Sequence, residues 1–346
     1  MAQRVPCLWN KRIIEEGDVA FLWRGNKEMP QRLVVKKGEE FHNDFGVFVH
    51  DDLIGKAYGT RIYSKKPKTK TKGSRKRTRN TTDYMYIMSF SPEIWTDSLS
   101  HRTQILYTTD NSVITGNLHL KPGCRVAESG TGSGSLSHVL ARAIGPSGHL
   151  DTFEFNLARA EEAKQDFERH GLSTTVTVHH RDVCSEGFGT EKENTFDAIF
   201  LDLPTPWLAV ASAKACLRSS GRICSFSPCI EQVQAFCNEL QEYGFYEIET
   251  YECLLKEYMG NLVNYPTPCC ITGNRKVKHG SNEGTDKSSS NDMKEQEQET
   301  EKDQTDENSQ AKKIALTGKE SIQVRATRPL ANIAGHTGFL TFAYRQ

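Results

Sequence analysis

Between Arg125 and Asn156 the stretch RVAESGTGSGSLSHVLARAIGPSGHLDTFEFN sets Gly130, Gly132 and Gly134 at alternate positions, ahead of a run with helical spacing. Glycines in a turn at the start of a helix let the backbone approach a ligand and leave N–H groups pointing at it. No lysine follows in the manner of G-x-x-x-x-G-K-[ST], which argues against a nucleoside triphosphate. Ser135 stands where the last glycine of the dinucleotide pattern G-x-G-x-x-G belongs, and Glu128 stands two places before the first glycine. Three more acids each end an apolar run: Glu154, Asp182 and Asp202. Glu154 falls twenty residues after Gly134, the position from which a carboxylate accepts hydrogen bonds from ribose hydroxyls. Asp202 opens D-L-P-T-P-W, where Pro204 and Pro206 stiffen the loop and the aromatic Trp207 follows.

These residues need a scaffold that brings successive strand ends together. From Gly123 onward the pattern alternates strand and helix, through CRVAES, LSHVLARAI, HLDTFEF, LARAEEAKQDFERHG, TTVTVHH, FDAIFLDL, WLAVASAKACL, GRICSFS, IEQVQAFCNELQEYG and YEIETYECL. Such alternation predicts an α/β fold with a parallel, doubly wound sheet, whose ligand lies at the carboxyl ends of the central strands. The final GHTGFLTFAYRQ reads as one more strand. Ahead of the sheet, helical spacing runs from about Arg102 to Asn117, and short alternating runs over residues 9–60 read as a small N-terminal β domain. The predicted boundaries are 1–90 for that domain, with a basic flexible loop at about 64–82, and 91–346 for the second, interrupted by a disordered insertion at about 274–318.

The 346 residues suit about two domains. Formal net charge is zero, but two opposed blocks produce it. Lys65–Arg79, KKPKTKTKGSRKRTR, holds nine basic side chains in fifteen residues, whereas Gly280–Gln310 is rich in Glu, Asp, Ser, Gln and Asn and lacks any aromatic. Neither block buries enough apolar surface to fold alone. For the basic run a solvated loop, contact with nucleic acid and nuclear import all remain open. The ten cysteines include no C-x-x-C pair, which suits a reducing compartment and predicts no metal site. No apolar run approaches the length of a membrane span and no leader pattern is present, so a soluble intracellular protein is expected.

The acid followed by G-x-G-x-G resembles motif I of class I S-adenosylmethionine-dependent methyltransferases. Taken with HRTQILYTTD, ESGTGSGS, DLPTPW and GRICSFSPCIEQVQ, the chain resembles the catalytic subunits of eukaryotic tRNA (adenine-58-N1)-methyltransferases over most of residues 9–270 and the last dozen. The resemblance does not extend over the basic run or the acidic insertion. It implies a Rossmann-like class I methyltransferase domain that binds S-adenosyl-L-methionine without a metal. Leu106 with Gly130, Thr131, Gly132, Ser133, Gly134 and Ser135 would wrap the methionine end; Glu154 and Arg159 would hold the ribose side; Asp182 and Val183 would frame the adenine. Asp202 would stand beside the reacting nitrogen as the catalytic residue. Arg24, Gly25 and Asn26 of the N-terminal domain would approach the cofactor. The resemblance also implies tRNA as substrate, a related non-catalytic tRNA-binding subunit in a heterotetramer, and the nucleus as compartment. Against it stand an NAD-dependent oxidoreductase, which shares the sheet and Glu154 but needs the missing glycine, and the non-catalytic subunit itself, which would have lost Glu128, the glycines or Asp202.

Overall fold

The computed structural model describes residues 8, 12–25, 29–65, 83–99, 105–256, 258–266, 321–330 and 338–346; Asn26, the basic run beyond Lys65 and the segment 274–318 lie outside these. Contacts divide the chain into two units, residues 1–255 with 334–346, and residues 256–333.

In the first unit, β1 (Val19–Trp23), β2 (Gln31–Val34), β5 (Arg61–Tyr63) and β6 (Tyr84–Met88) form an antiparallel sheet in the order β2-β1-β6-β5, while β3 (Glu40–Asn43) and β4 (Gly46–Val49) pair as a hairpin. Side chains alternate across the pleat, so Leu22, Leu33, Ile62, Met85 and Ile87 bury on one face with Phe48 and Leu53. On the other face Phe21 packs with Phe90 and the fully buried Trp95 of α1 (Pro92–Ser98). Ser91 caps α1 by accepting the Ile94 N–H at 3.3 Å, and Pro92 begins it with a preset φ. Thr96 of α1 donates its hydroxyl to the Pro92 carbonyl at 2.8 Å, leaving its oxygen to accept the Ser135 hydroxyl at 2.6 Å. One buried hydroxyl pair thus ties the N-terminal region to the glycine-rich turn.

The large sheet contains β7 (Arg125–Ser129), β8 (His149–Glu154), β9 (Val176–His180), β10 (Phe196–Leu201), β11 (Leu217–Ser227), β12 (Phe245–Glu252) and β15 (Phe339–Arg345), in the order β12-β15-β11-β10-β7-β8-β9. Its helices are α2 (Thr108–Asn117), α3 (Ser135–Ile144), α4 (Leu157–Arg169), α5 (Val183–Glu186), α6 (Val210–Cys216) and α7 (Ile230–Glu242). Both faces are covered. Val126, Leu150 and Phe200 bury with Ile114 of α2, Leu140 of α3 and Phe167 of α4, while Ala127, Ile199 and Leu201 bury with Val210 of α6 and Phe236 of α7. Each of the larger side chains contributes about 1.5–3 kcal/mol by leaving water. This is the expected doubly wound arrangement with one correction to the all-parallel reading: β15 runs antiparallel to both β11 and β12 and sits between them. The chain returns to the sheet after a long excursion, so the last strand needs no right-handed crossover. The helix expected from Arg102 begins, among the described residues, at Thr108.

In the second unit, β13 (Tyr258–Pro266) and β14 (Ser321–Pro329) pair antiparallel over nine residues, from Tyr258 opposite Pro329 to Pro266 opposite Ser321. The segment read as an insertion therefore leaves and rejoins a hairpin that the broken alternation around Gly260 and Asn261 did not announce. Tyr258, Leu262 and Tyr265 are exposed on it. No helix among the described residues is long and apolar enough to cross a membrane.

Candidate functional site

β7 and β10 are parallel neighbours at the centre of the sheet, so the turn after Ser129 and the loop after Leu201 emerge side by side. The Asp202 N–H donates to the Ser129 carbonyl at 2.8 Å. The spacing leaves no room for a side chain: a Cβ on Gly130, whose φ is +96°, would lie 2.3 Å from the Asp202 carbonyl oxygen. Gly134, at φ +71°, would press a Cβ to 3.2 Å from the Phe167 ring. Tight packing accounts for both glycines. Gly132 differs, because at φ +54° its nearest neighbour would be the Gly130 carbonyl at 3.9 Å. Its Cα is the point a ligand can approach, while its N–H is donated to Glu154.

Three cavities adjoin this turn. A small one of about 30 Å³ is lined by Leu106, Glu128, Gly130, Thr131, Gly132, Ser133, Ser135 and Asp202, together with Ile105, Leu136 and Phe200. A second, of about 380 Å³, shares Leu106 and Asp202 and is completed by Leu203, Pro204, Phe226, Pro228 and Gln232. A third, of about 340 Å³, shares Gly132 and Ser133 and continues along α4 past Arg159 to Arg169, with Arg32 and Leu99 opposite. Most of the residues expected at the methionine end therefore do line one continuous region of cavities. Gly134 does not, since it faces Phe167.

Glu128 lies behind the turn. Its Oε2 accepts the Ser137 hydroxyl at 2.5 Å and the Thr152 hydroxyl at 2.8 Å, and because Thr152 spends its proton there, Thr131 donates to Thr152 at 2.6 Å. Burial pushes the Glu128 carboxyl up to about 7 against the pull of those two bonds, and the charges of Asp202 and Glu154 add to the rise. Ser137 and Thr152 were not anticipated; only their neighbours in space, not in sequence, give them a role.

Glu154, 3% exposed, is the most fully satisfied acid of the site. Oε2 accepts the Gly132 N–H at 3.0 Å, and Oε1 accepts the Asn156 N–H at 3.1 Å and the Arg159 guanidinium at 3.0 and 2.6 Å. Three of these four N–H donors converge on Oε1 and one reaches Oε2, which keeps an acceptor position open. A ribose hydroxyl therefore has the remaining position on Oε2, and reaches Oε1 only when Arg159, itself 40% exposed, swings away. The expectation that Glu154 and Arg159 act together on the ribose is thus refined: in this structure they hold each other.

Asp202 is the opposite case. Among the described residues its carboxylate has no hydrogen-bond partner, and burial with the nearby Glu154 charge raises it to about 6. It projects between the small cavity and the 380 Å³ one. Gln232 braces the loop beside it, donating from Nε2 to the Pro204 carbonyl at 2.9 Å while its Oε1 caps the Cys229 N–H at 3.3 Å. The aromatic lining the cavity with Asp202 is Phe226, whereas Trp207 lies on a short 3-10 turn, Pro206–Ala209, outside the lining.

Asp182 and Val183 are placed apart from these cavities. The Asp182 carboxylate caps α5, accepting the Cys184 N–H at 3.0 Å and the Ser185 hydroxyl at 2.9 Å, and Val183 is buried. Arg24 turns away from the pocket: its guanidinium lies 4.5 Å from the Phe45 ring centroid and 3.5 Å from Asp83. Gly25 lines none of the three cavities, and Asn26 lies outside the described residues. Beneath the turn, two unforeseen histidines join its far side. His138 donates from Nδ1 to the Gly134 carbonyl at 2.6 Å, which leaves Nε2 to accept from His170 Nδ1 at 2.9 Å. Burial depresses both, to about 4 and about 2, and keeps them neutral.

Acids surround the turn, a Cβ on Gly132 would meet nothing closer than 3.9 Å, and Arg32, Arg159 and Arg169 line the third cavity beside Glu162 and Asp166.

Residues 83–345 match the family model described as tRNA methyltransferase complex GCD14 subunit. The chain is 42% identical over 256 residues to the tRNA (adenine(58)-N(1))-methyltransferase catalytic subunit of Dictyostelium discoideum, covering 73% of this chain and 77% of that protein. In fold it is similar to a SAM-dependent O-methyltransferase of Thermotoga maritima, with TM-score 0.66, 23% identity and coverage of 96% and 95% of the two chains. It is also similar to the tRNA (m1A58) methyltransferase TrmI of Aquifex aeolicus, with TM-score 0.61, 18% identity and coverage of 96% and 99%.

Proposed function

Because the chain belongs to the family of tRNA methyltransferase complex GCD14 subunits, we propose that it is the catalytic subunit that methylates N1 of adenine 58 in the T-loop of tRNA, using S-adenosylmethionine. The observation that carries this reading is the Asp202 carboxylate, half-buried, unpartnered among the described residues and set between the glycine-rich turn and an open cavity.

Leu106, Gly132 and Glu154 are the residues that would hold the cofactor, which when bound supplies a methyl group already activated on a sulfonium. N1 of adenine has an in-plane lone pair but is a weak nucleophile. Asp202 accepts a hydrogen bond from the exocyclic amino group, which raises electron density at N1 and stabilises the positive charge the ring acquires as N1 takes the methyl. That role requires the ionised carboxylate. A T-loop adenine is stacked and paired in folded tRNA, so it must be extruded to reach Asp202, and Phe226 with the loop stiffened by Pro204 and Pro206 forms the wall it meets.

The reading includes a related non-catalytic subunit, a heterotetramer and the nucleus. The exposed apolar side chains of the β13–β14 hairpin favour a partner, since an isolated two-stranded hairpin is marginal in water. Titration calorimetry with S-adenosylmethionine and with NAD, followed by mass spectrometry of tRNA incubated with the complex, tests the proposal. Binding of S-adenosylmethionine alone and one added methyl at adenine 58 are expected. Binding of NAD, or label carried only by another subunit after crosslinking of the methyl donor, would overturn it.

A further inference from the structure

The N-terminal sheet has one face divided in two. Towards the methyltransferase fold it is closed by Phe21, Phe90 and Trp95. Away from it, the register sets Arg61 opposite Tyr86 and Tyr63 opposite Tyr84, with Ile62 and Met85 alternating onto the buried side. Three tyrosines and an arginine therefore share one face. Tyr63 is 59% exposed, with its ring 6.2 Å from that of Tyr84, which meets Tyr86 edge-on at 5.8 Å. Arg61 lies over both, 5.0 Å from the Tyr84 centroid and 5.4 Å from the Tyr86 centroid, and its Nε donates to the Tyr86 hydroxyl at 2.9 Å. Arg24 approaches Tyr84 from the side of Phe45 at 5.9 Å.

Neither the core nor the methyl-transfer pocket uses these rings. Planar groups held in a row by guanidinium contacts suit the faces of unstacked bases, which stack on aromatic and arginine side chains whatever their sequence. The charge agrees: Arg61 sets a cation among the rings, and in sequence β5 and β6 are joined through Lys65–Arg79, with nine bases and no acid, which favours an anionic ligand for the chain. We propose that Arg61, Tyr63, Tyr84 and Tyr86 form a stacking surface for unpaired nucleotides of the RNA substrate, a site separate from the pocket around Asp202. This inference rests on the reading of the chain as a tRNA methyltransferase.

The test uses the full chain assembled with its partner subunit. Tyr63→Ala/Tyr84→Ala is compared with Tyr63→Phe/Tyr84→Phe and with the single Tyr63→Ala, whose exposed ring is the least able to disturb folding. Fluorescence anisotropy reads tRNA affinity at several salt concentrations, calorimetry reads S-adenosylmethionine affinity, and sedimentation reads assembly. The alanine pair should bind tRNA about 10- to 100-fold more weakly, and the single variant about 10-fold. The phenylalanine pair should match wild type, since it keeps the ring faces. Salt slopes and cofactor affinity should not change, because no phosphate contact and no pocket residue is removed. Unchanged tRNA affinity in a folded alanine variant would overturn the proposal, as would loss of the partner subunit, which would make this face a protein interface. A wild-type complex that binds tRNA without methylating it would count against the function proposed above and leave this comparison of affinities standing.

Discussion

The two sides of the pocket are built to opposite standards. On the β7–β8 side the acids are well partnered: Glu154 receives four N–H donors and Glu128 two hydroxyls, with Thr131 supporting the second. On the β10 side Asp202 is half-buried without a hydrogen-bond partner among the described residues and is raised to about 6 by partial desolvation and the nearby Glu154 charge. A satisfied carboxylate is a fixed frame with little left to offer a reacting group. An unsatisfied one keeps its capacity for what arrives. The difference separates holding a ligand from acting on a substrate.

Removing the acid on each side sharpens this comparison. Asp202→Ala should lower methyl transfer about 100- to 1000-fold in single-turnover assays, while calorimetry finds cofactor affinity within about tenfold of wild type. Equal loss of binding would mean that Asp202 is structural. Glu154→Ala should do the reverse, weakening the cofactor about 100-fold with a smaller effect on the rate at saturation. Arg159→Ala, which removes two of the three donors on Glu154 Oε1, should change cofactor affinity by less than about tenfold.

The glycines should divide the same way in thermal and denaturant unfolding. Gly130→Ala drives a Cβ into the Asp202 carbonyl at 2.3 Å and should cost about 3 kcal/mol or more of stability. Gly132→Ala meets open space, so only the strain of φ +54° remains, about 1–2 kcal/mol, and its main effect should fall on cofactor affinity. Similar destabilisation by both would erase the distinction between packing and access.

The smallest effect concerns Glu128. Its folded pKa of about 7 lies above the ordinary 4.5, so the stability it contributes is complete below about pH 4.5 and is lost as pH rises through 7. Glu128→Gln carries no charge to bury. Its melting temperature relative to wild type should rise between pH 6 and pH 8.5, by an amount on the order of 1–2 kcal/mol in stability. A pH-independent difference would place the proton elsewhere.

How far the sequence reveals this site depends on the range of the interactions. β7 to β10 and their helices were legible because apolar runs alternate with helical ones over short spans, and the acids at the strand ends follow from that order. Gly130 was legible as a glycine but not for its reason, which is a contact with residue 202 across two parallel strands. The bond between His138 and His170 joins positions 32 apart and leaves no local trace. The four donors that converge on Glu154 are main-chain and side-chain groups whose geometry exists only after folding. β15 read correctly as a strand, yet its antiparallel place between β11 and β12 is set by the path of the chain, not by its own composition.

The central claim is that an ionised Asp202 acts in the methyl-transfer step, and it is tested most directly by the pH dependence of the single-turnover rate with tRNA and S-adenosylmethionine both saturating. For wild type the account expects a rate that is level above about pH 7 and falls about tenfold per pH unit below 6, as the carboxylate takes up a proton. In Asp202→Asn the limb should vanish and the rate should stay low throughout. A limb that persists unchanged in Asp202→Asn, or a variant as fast as wild type, would contradict it.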